Sequence, residues 1–168
     1  VNSEETRTVN LVSYFKAISN ANEEHKRFPL NLSIVIDRSG SMEGQKLAKT
    51  KEAVTFLLKQ LEPSDIVSVV SYESKVEVVI PPQRVDNHRD LVKKIEKIES
   101  AGGTFLSGGL EQGYELISSI KDTLQDSSFV HRVILLSDGL ANEGIVDPQS
   151  LQRIASDQLE ENDISLST

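Results

Sequence analysis

Three short segments of this chain contain carboxylate or hydroxyl side chains. Two of them follow strand-like stretches, and the third begins with a pair of glycines. The first is Asp37-Arg38-Ser39-Gly40-Ser41, directly after the β-prone stretch Leu30–Ile36. The others are Gly102-Gly103-Thr104 and Ser137-Asp138-Gly139, the latter after the apolar run Val130–Leu136. Hard divalent cations such as Mg²⁺ prefer oxygen ligands of these types. The sequence therefore predicts a cation site assembled from three segments.

The spacing within the first segment suits such a site. Asp37, Ser39 and Ser41 alternate along a tight turn, and the glycine between the serines lets the backbone bend so that the side chains converge. A second carboxylate close to the first would be repelled unless a cation lay between them. The predicted metal ligands are Asp37, Ser39, Ser41, Thr104 and Asp138.

Hydroxyl-rich coordination leaves a cation electron-poor and receptive to an acidic oxygen from outside, which favours a binding module completed by a partner. A magnesium-dependent hydrolase or phosphoryl-transfer enzyme is the alternative, with Asp37 or a serine as nucleophile. Phosphatases with a strand-end aspartate typically carry a second aspartate two residues later as general acid, and here that residue is Ser39. A metal-independent scaffold within a larger assembly is a third possibility.

The bulk composition restricts the other functions. The 168 residues suit one domain, and 26 acidic against 18 basic residues give a net charge of −8, which argues against nucleic acid as a partner. The absence of cysteine excludes disulfides and thiolate metal sites. No apolar run approaches the roughly 20 residues needed to cross a bilayer, so we expect no membrane insertion by this segment.

Strand-like and helical patterns alternate along the chain and predict a mostly parallel sheet with helices on both faces. In such sheets ligands bind at the carboxyl ends of the strands, where both aspartates fall. The predicted strands are Leu30–Ile36, Ile66–Tyr72, Lys75–Ile80 (a half-exposed edge strand closed by Pro81-Pro82), Val130–Leu136 and Ile164–Thr168. The predicted helices are Glu43–Leu61, a short one capped by Asp86 or Asn87, Leu106–Leu124 and Pro148–Glu161.

The three motif segments, in this order, resemble the metal-ion-dependent adhesion site (MIDAS) of von Willebrand factor A domains, whose pattern is Asp-x-Ser-x-Ser, then Thr, then Asp. All five positions are matched, and the similarity runs from about Leu30 to Thr168. The resemblance implies a Rossmann-like, doubly wound α/β fold with a mostly parallel sheet, helices on both faces and one antiparallel edge strand at Lys75–Ile80.

The resemblance also implies a function. Mg²⁺, or Mn²⁺ or Ca²⁺ in its place, would be held directly by Ser39, Ser41 and Thr104, with Asp37 and Asp138 acting partly through water. A Glu or Asp carboxylate of a protein ligand would complete the coordination. The chain would then be a protein-interaction module and not an enzyme.

Two further expectations concern the ends of the chain and the rim of the site. Residues 1–29 are predicted to form an arm or added strand, and residues 30–168 a von Willebrand factor A domain without its last helix, strand and helix, cut from a longer protein. Ser74, Asn142 and Glu143 lie on loops beside the motif and are predicted to contact the partner.

Overall fold

The computed structural model describes residues 27–121, 123–124, 128–139 and 141–168. Strands and helices alternate through these ranges, and a short 3₁₀ turn, Gly40–Met42, follows the first strand. In chain order the elements are β1 (Leu30–Asp37), α1 (Gln45–Gln60), β2 (Ile66–Tyr72), β3 (Val76–Arg84), α2 (His88–Glu96), α3 (Leu106–Lys121), β4 (Val130–Leu136), α4 (Pro148–Asn162) and β5 (Ile164–Ser167).

The described strands form one sheet in the order β3-β2-β1-β4-β5. β1 runs parallel to β2 and β4, and β5 runs parallel to β4, whereas β2 and β3 are antiparallel. The predicted α/β fold, with a mostly parallel sheet and one antiparallel pair, is confirmed. Strand order reverses between β1 and β4, so the carboxyl ends of these strands form the crevice in which such sheets bind ligands.

Side chains alternate between two cores on opposite faces of the sheet. Ile34 and Ile36 of β1 belong to the core covered by α1 and α2, and Val35 belongs to the core covered by α3 and α4. Because β1 is covered on both faces and paired on both edges, it is an apolar run with almost no exposed residue. The strand that carries the first motif is therefore enclosed on both faces and at both edges.

The edge strand β3 differs from the sequence prediction. The sequence predicts that Pro81-Pro82 ends this strand, which is wrong, because β3 continues through both prolines to Arg84. Its register against β2 shifts on either side of Val69, so the prolines lie in an irregular part of the ladder. β3 pairs with β2 alone among the described strands, and an edge strand tolerates a missing N–H on its outer side.

Other boundaries agree with the predictions to within a few residues. α2 begins after Asn87, whose side chain accepts a hydrogen bond from the Asp90 N–H, and α4 begins at Pro148 after the cap Asp147. The predicted strand within residues 1–29 lies almost entirely outside the described residues. In the described part of the chain, no helix has the length and apolar character to cross a membrane.

His131 on β4 makes the stability of this fold depend on pH. Burial holds its pKa below the ordinary 6.5, helped by the nearby Lys121 and opposed by Asp163. The neutral ring also suits its neighbour, because the side-chain nitrogen of Asn31 lies 3.2 Å from Nδ1. The unfolded chain therefore binds this proton more readily than the folded chain.

We expect the free energy of unfolding to be highest above pH 6.5 and to fall as the pH drops through the lowered pKa of His131. His131→Asn keeps an acceptor near the position of Nδ1 without taking up a proton, so it should flatten this slope. Urea unfolding at intervals from about pH 5 to 7, in EDTA, measures it. Equal slopes for the two proteins would show that His131 does not cause the dependence.

Candidate metal centre

The first motif forms a tight turn at the carboxyl end of β1. Asp37 is fully buried, and its Oδ1 accepts a hydrogen bond of 2.9 Å from the Ser39 N–H. The Oγ atoms of Ser39 and Ser41 lie 3.1 Å apart, so the two hydroxyls face the same point. The 3₁₀ turn that follows is anchored by Met42, which is buried in the core under α1. The predicted convergence of these side chains is thus present.

The carboxyl end of β4 joins this turn through two hydrogen bonds. The Ser137 hydroxyl donates to Asp37 Oδ2 over 2.7 Å, and the Ser41 hydroxyl donates to Asp138 Oδ1 over 3.0 Å. Ser137 was not among the predicted site residues. The sequence signal that could have indicated Ser137 is its position one residue after β4. Because β4 pairs in register with β1, this position lies beside Asp37.

Thr104 reaches the same place from the loop between α2 and α3. The Gly40 N–H donates to the Gly102 carbonyl over 3.2 Å, and the Ala101 N–H donates to the Arg38 carbonyl over 2.9 Å. These bonds hold the loop against the first motif, and Thr104 is only 4% exposed. All five predicted ligands therefore lie on three adjoining segments at one edge of the sheet.

Two glutamates pack directly against the glycine pair before Thr104. A Cβ on Gly102 would lie 2.0 Å from Glu73 Oε2, and one on Gly103 would lie 2.0 Å from Glu143 Oε1. Gly102 also has a φ of +60°, which disfavours residues with a side chain. The pair thus allows two carboxylates to pack directly against the loop that carries Thr104.

The residues predicted to contact a partner surround this loop. Ser74 Oγ accepts from the Gly103 N–H over 2.8 Å and donates to Glu143 Oε1 over 2.7 Å. Asn142 Oδ1 accepts from the Thr104 N–H over 2.7 Å. The structure therefore places Ser74, Asn142 and Glu143 at the site, engaged in hydrogen bonds within the chain, and their contact with a partner stays a prediction.

The donor set fits a hard divalent cation. Nowhere among the described residues do three His, Cys, Asp or Glu side chains cluster closely enough to hold a metal by themselves. A cation at this edge would therefore depend on the hydroxyls of Ser39, Ser41 and Thr104, together with the two aspartates. Neutral hydroxyls and carboxylates are the oxygen ligands that Mg²⁺, Mn²⁺ and Ca²⁺ accept.

A positive side chain also reaches the site. The ammonium of Lys46, on α1, lies 2.7 Å from Asp138 Oδ2. This hydrogen bond lowers the pKa of Asp138, with a smaller contribution from Ser41 and against the effect of burial. A cavity of about 540 Å³ opens beside these two residues. Nothing in the sequence separates Lys46 from the other lysines of α1.

Tyr72 is a third residue that the sequence did not reveal. It is the β2 partner of Asp37 in the sheet and is fully buried, with its ring against Gly109, where a Cβ would lie 2.5 Å from Cδ1. Burial strongly raises the pKa of Tyr72, and the nearby carboxylates of Asp37 and Asp138 raise it further, against the effect of Ser137. The phenol therefore stays protonated beneath the site, without a hydrogen bond of normal geometry to any described residue.

Comparison with known proteins places this site in a family. A profile of the von Willebrand factor type A domain matches residues 32–140. The uncharacterized protein sll0103 of Synechocystis sp. is 36% identical over 138 residues, which are 82% of this chain and 32% of that protein. The inter-alpha-trypsin inhibitor heavy chain H1 of Bos taurus is 35% identical over 129 residues, or 73% of this chain and 14% of that protein.

Solved structures show the same fold. A von Willebrand factor type A protein from Catenulispora acidiphila aligns over 82% of this chain and 32% of its own, with a TM-score of 0.68 and 23% identity. Proximal thread matrix protein 1 from the mussel byssus, in a structure with a zinc-occupied MIDAS motif, aligns over 83% of this chain and 37% of its own, with a TM-score of 0.67 and 19% identity. Because the family profile covers well over half of the sequence, this chain belongs to the von Willebrand factor type A domain family.

Proposed function

We propose that this chain is a metal-dependent protein-interaction module, in which a divalent cation at the sheet edge captures an acidic side chain of a partner. The observation that carries the proposal is that two serine hydroxyls and two carboxylates meet at the carboxyl ends of β1 and β4, with the Thr104 loop bonded against them. The hydrogen bonds from Ser137 to Asp37 and from Ser41 to Asp138 join these segments. The inter-alpha-trypsin inhibitor heavy chains are relatives from a family of interaction modules.

Each residue has a distinct part in this proposal. Ser39, Ser41 and Thr104 would hold the cation, which is Mg²⁺, Mn²⁺ or Ca²⁺. Asp37 orients the Ser39 turn through the Ser39 N–H, and Asp138 accepts from the Ser41 hydroxyl. A cation bound by neutral hydroxyls supplies an electrophilic centre that accepts a carboxylate oxygen of a Glu or Asp from outside. The mussel byssus protein, with zinc in its MIDAS motif, supports a metal at this position.

The described residues do not place a histidine base at the site, which disfavours the enzyme alternative. The ring of His88 hydrogen-bonds with the Leu61 carbonyl, and His131 lies beside Asn31 on β1. Neither is bonded to the serines of the site, so neither can serve as the histidine base of a serine nucleophile. The position that a phosphatase would use for its general acid is Ser39, which has a hydroxyl in place of a carboxyl group.

Metal binding is tested by titration. We expect Mg²⁺ to raise the melting temperature of the wild-type protein, since a ligand that binds the folded state stabilises it by mass action. Ser41→Ala removes an exposed ligand hydroxyl without disturbing the core, and it should weaken Mg²⁺ binding about tenfold, within the range seen when metal-site groups are lost. Isothermal titration and thermal melts measure both effects.

Ser156→Ala, which removes a hydroxyl on α4 far from the site, is the matched control and should behave as wild type. Identical binding heats for wild type and Ser41→Ala would contradict the proposal. Capture is tested separately with Mn²⁺-loaded protein, in which millimolar acetate should reduce the water-proton relaxation enhancement by displacing exchangeable water. An unchanged enhancement would favour the metal-independent scaffold.

Lys46 should weaken cation binding, because its ammonium occupies Asp138 Oδ2 and repels a second positive charge. Lys46→Met is therefore expected to increase Mg²⁺ affinity roughly two- to fivefold, the scale of an exposed ion pair. Lys49→Met is the control, since Lys49 pairs with Glu52 on the solvent side of α1. An equal change in both variants would point to net charge alone and not to competition for Asp138.

A further inference from the structure

The loop from Ala101 to Phe105 has no helix or strand, yet other loops bind most of its backbone N–H groups. The Phe105 N–H donates to the Glu73 carbonyl over 2.7 Å, and the Ala101 N–H donates to the Arg38 carbonyl over 2.9 Å. The Gly103 N–H donates to Ser74 Oγ. The position of Thr104 therefore depends on contacts with other segments of the chain and not on local secondary structure.

Asn142 makes the most direct of these contacts. Its Oδ1 accepts from the Thr104 N–H over 2.7 Å, and its own N–H donates to the Thr104 carbonyl over 3.1 Å. The Glu143 N–H donates to the same carbonyl over 3.3 Å. Both backbone polar groups of Thr104 are thus satisfied by two consecutive residues of the loop that follows β4.

We propose that Asn142 is a positioning residue for the metal site, which sets the place of the Thr104 hydroxyl through this reciprocal pair of hydrogen bonds. The inference rests on the proposed function, because it assigns Thr104 as a metal ligand. It gives Asn142 a role within the chain, in addition to the partner contact that the sequence suggests.

With this pair, hydrogen bonds link each of the three segments of the site to the other two. Asp138 accepts from Ser41, which ties the end of β4 to the first motif. Asn142 lies four residues further along the same loop and ties it to the segment of Thr104. The segment of Thr104 returns to the first motif through the bond from Gly40 to Gly102. Removing the Asn142 side chain leaves the Thr104 N–H without this partner, while the backbone bonds to the Thr104 carbonyl remain.

The neighbouring contacts of Ser74 offer a matched comparison. Ser74 Oγ binds the Gly103 N–H and Glu143 Oε1, so it supports the same loop one residue earlier. Neither of these bonds involves the backbone N–H or the carbonyl of Thr104. Ser74 is exposed, and water can replace its hydroxyl at Gly103. A general loosening of the loop would follow from Ser74→Ala, whereas loss of Thr104 positioning would follow only from changes at Asn142.

The experiment compares Asn142→Ala, Asn142→Asp and Ser74→Ala with wild type in two measurements. The first is the exchange rate of the Thr104 amide proton by NMR in EDTA, which requires no metal. The second is Mg²⁺ affinity by isothermal titration. We expect Asn142→Ala to accelerate Thr104 exchange about tenfold and to weaken Mg²⁺ binding about tenfold, as loss of supporting hydrogen bonds does at metal sites. Asn142→Asp keeps an acceptor and should retain slow exchange, and Ser74→Ala should retain the Mg²⁺ affinity.

The outcomes separate the two proposals. If wild type takes up no Mg²⁺, the proposed function fails and the positioning role fails with it. If wild type binds Mg²⁺ but Asn142→Ala binds it equally well, only the positioning inference is overturned. Unchanged Thr104 exchange in Asn142→Ala, or equal loss of affinity in Ser74→Ala, would overturn it as well.

Discussion

The parallel pairing of β1 with β4 is the constraint on which the site depends. Because the register aligns Ile36 with Leu136, the residues that follow each strand emerge side by side. The hydrogen bond from Ser137 to Asp37 is a direct result of this register. A shift of β4 by one residue would turn its side chains toward the opposite faces of the sheet and separate Ser137 from Asp37. The side chains of β1 alternate between two buried cores, and this packing on both faces prevents such a shift.

The negative charges at the carboxyl ends of the strands explain why the surrounding loops make so many hydrogen bonds and ion pairs. Asp37 and Asp138 accept hydrogen bonds from neighbouring serines, and Glu73 and Glu143 pack against the adjoining glycines. Like charges at short range destabilise a fold unless cations or donors offset them. Arg38 lies 3.5 Å from Glu73, and Lys46 lies 2.7 Å from Asp138. Backbone N–H groups and hydroxyls donate further hydrogen bonds to these carboxylates, so the folded domain tolerates the acidic groups at this end of the sheet.

The sequence was sufficient for the parts of this structure that follow from local pattern. Apolar runs and helical periodicity predicted the elements, and the motif predicted which three segments adjoin at the carboxyl ends of β1 and β4. The roles of Ser137, Tyr72 and Lys46 could not be predicted, because they depend on strand register and on the direction in which α1 leaves its turn. The continuation of β3 through two prolines was missed for a similar reason, since only the sheet order shows that its outer edge needs no donors.

The two carboxylates of the site are held with unequal rigidity. Asp37 is fully buried, and its oxygens accept from a backbone N–H and from Ser137. The Asp138 side chain is 22% exposed, and one of its partners is the mobile end of a lysine that is itself 60% exposed. A change in the charge near the site therefore acts first on the β4 segment. Because Asn142 follows on that segment and binds the Thr104 N–H, Thr104 is also tied to the β4 segment, while Asp37 and Ser39 of the β1 turn are buried.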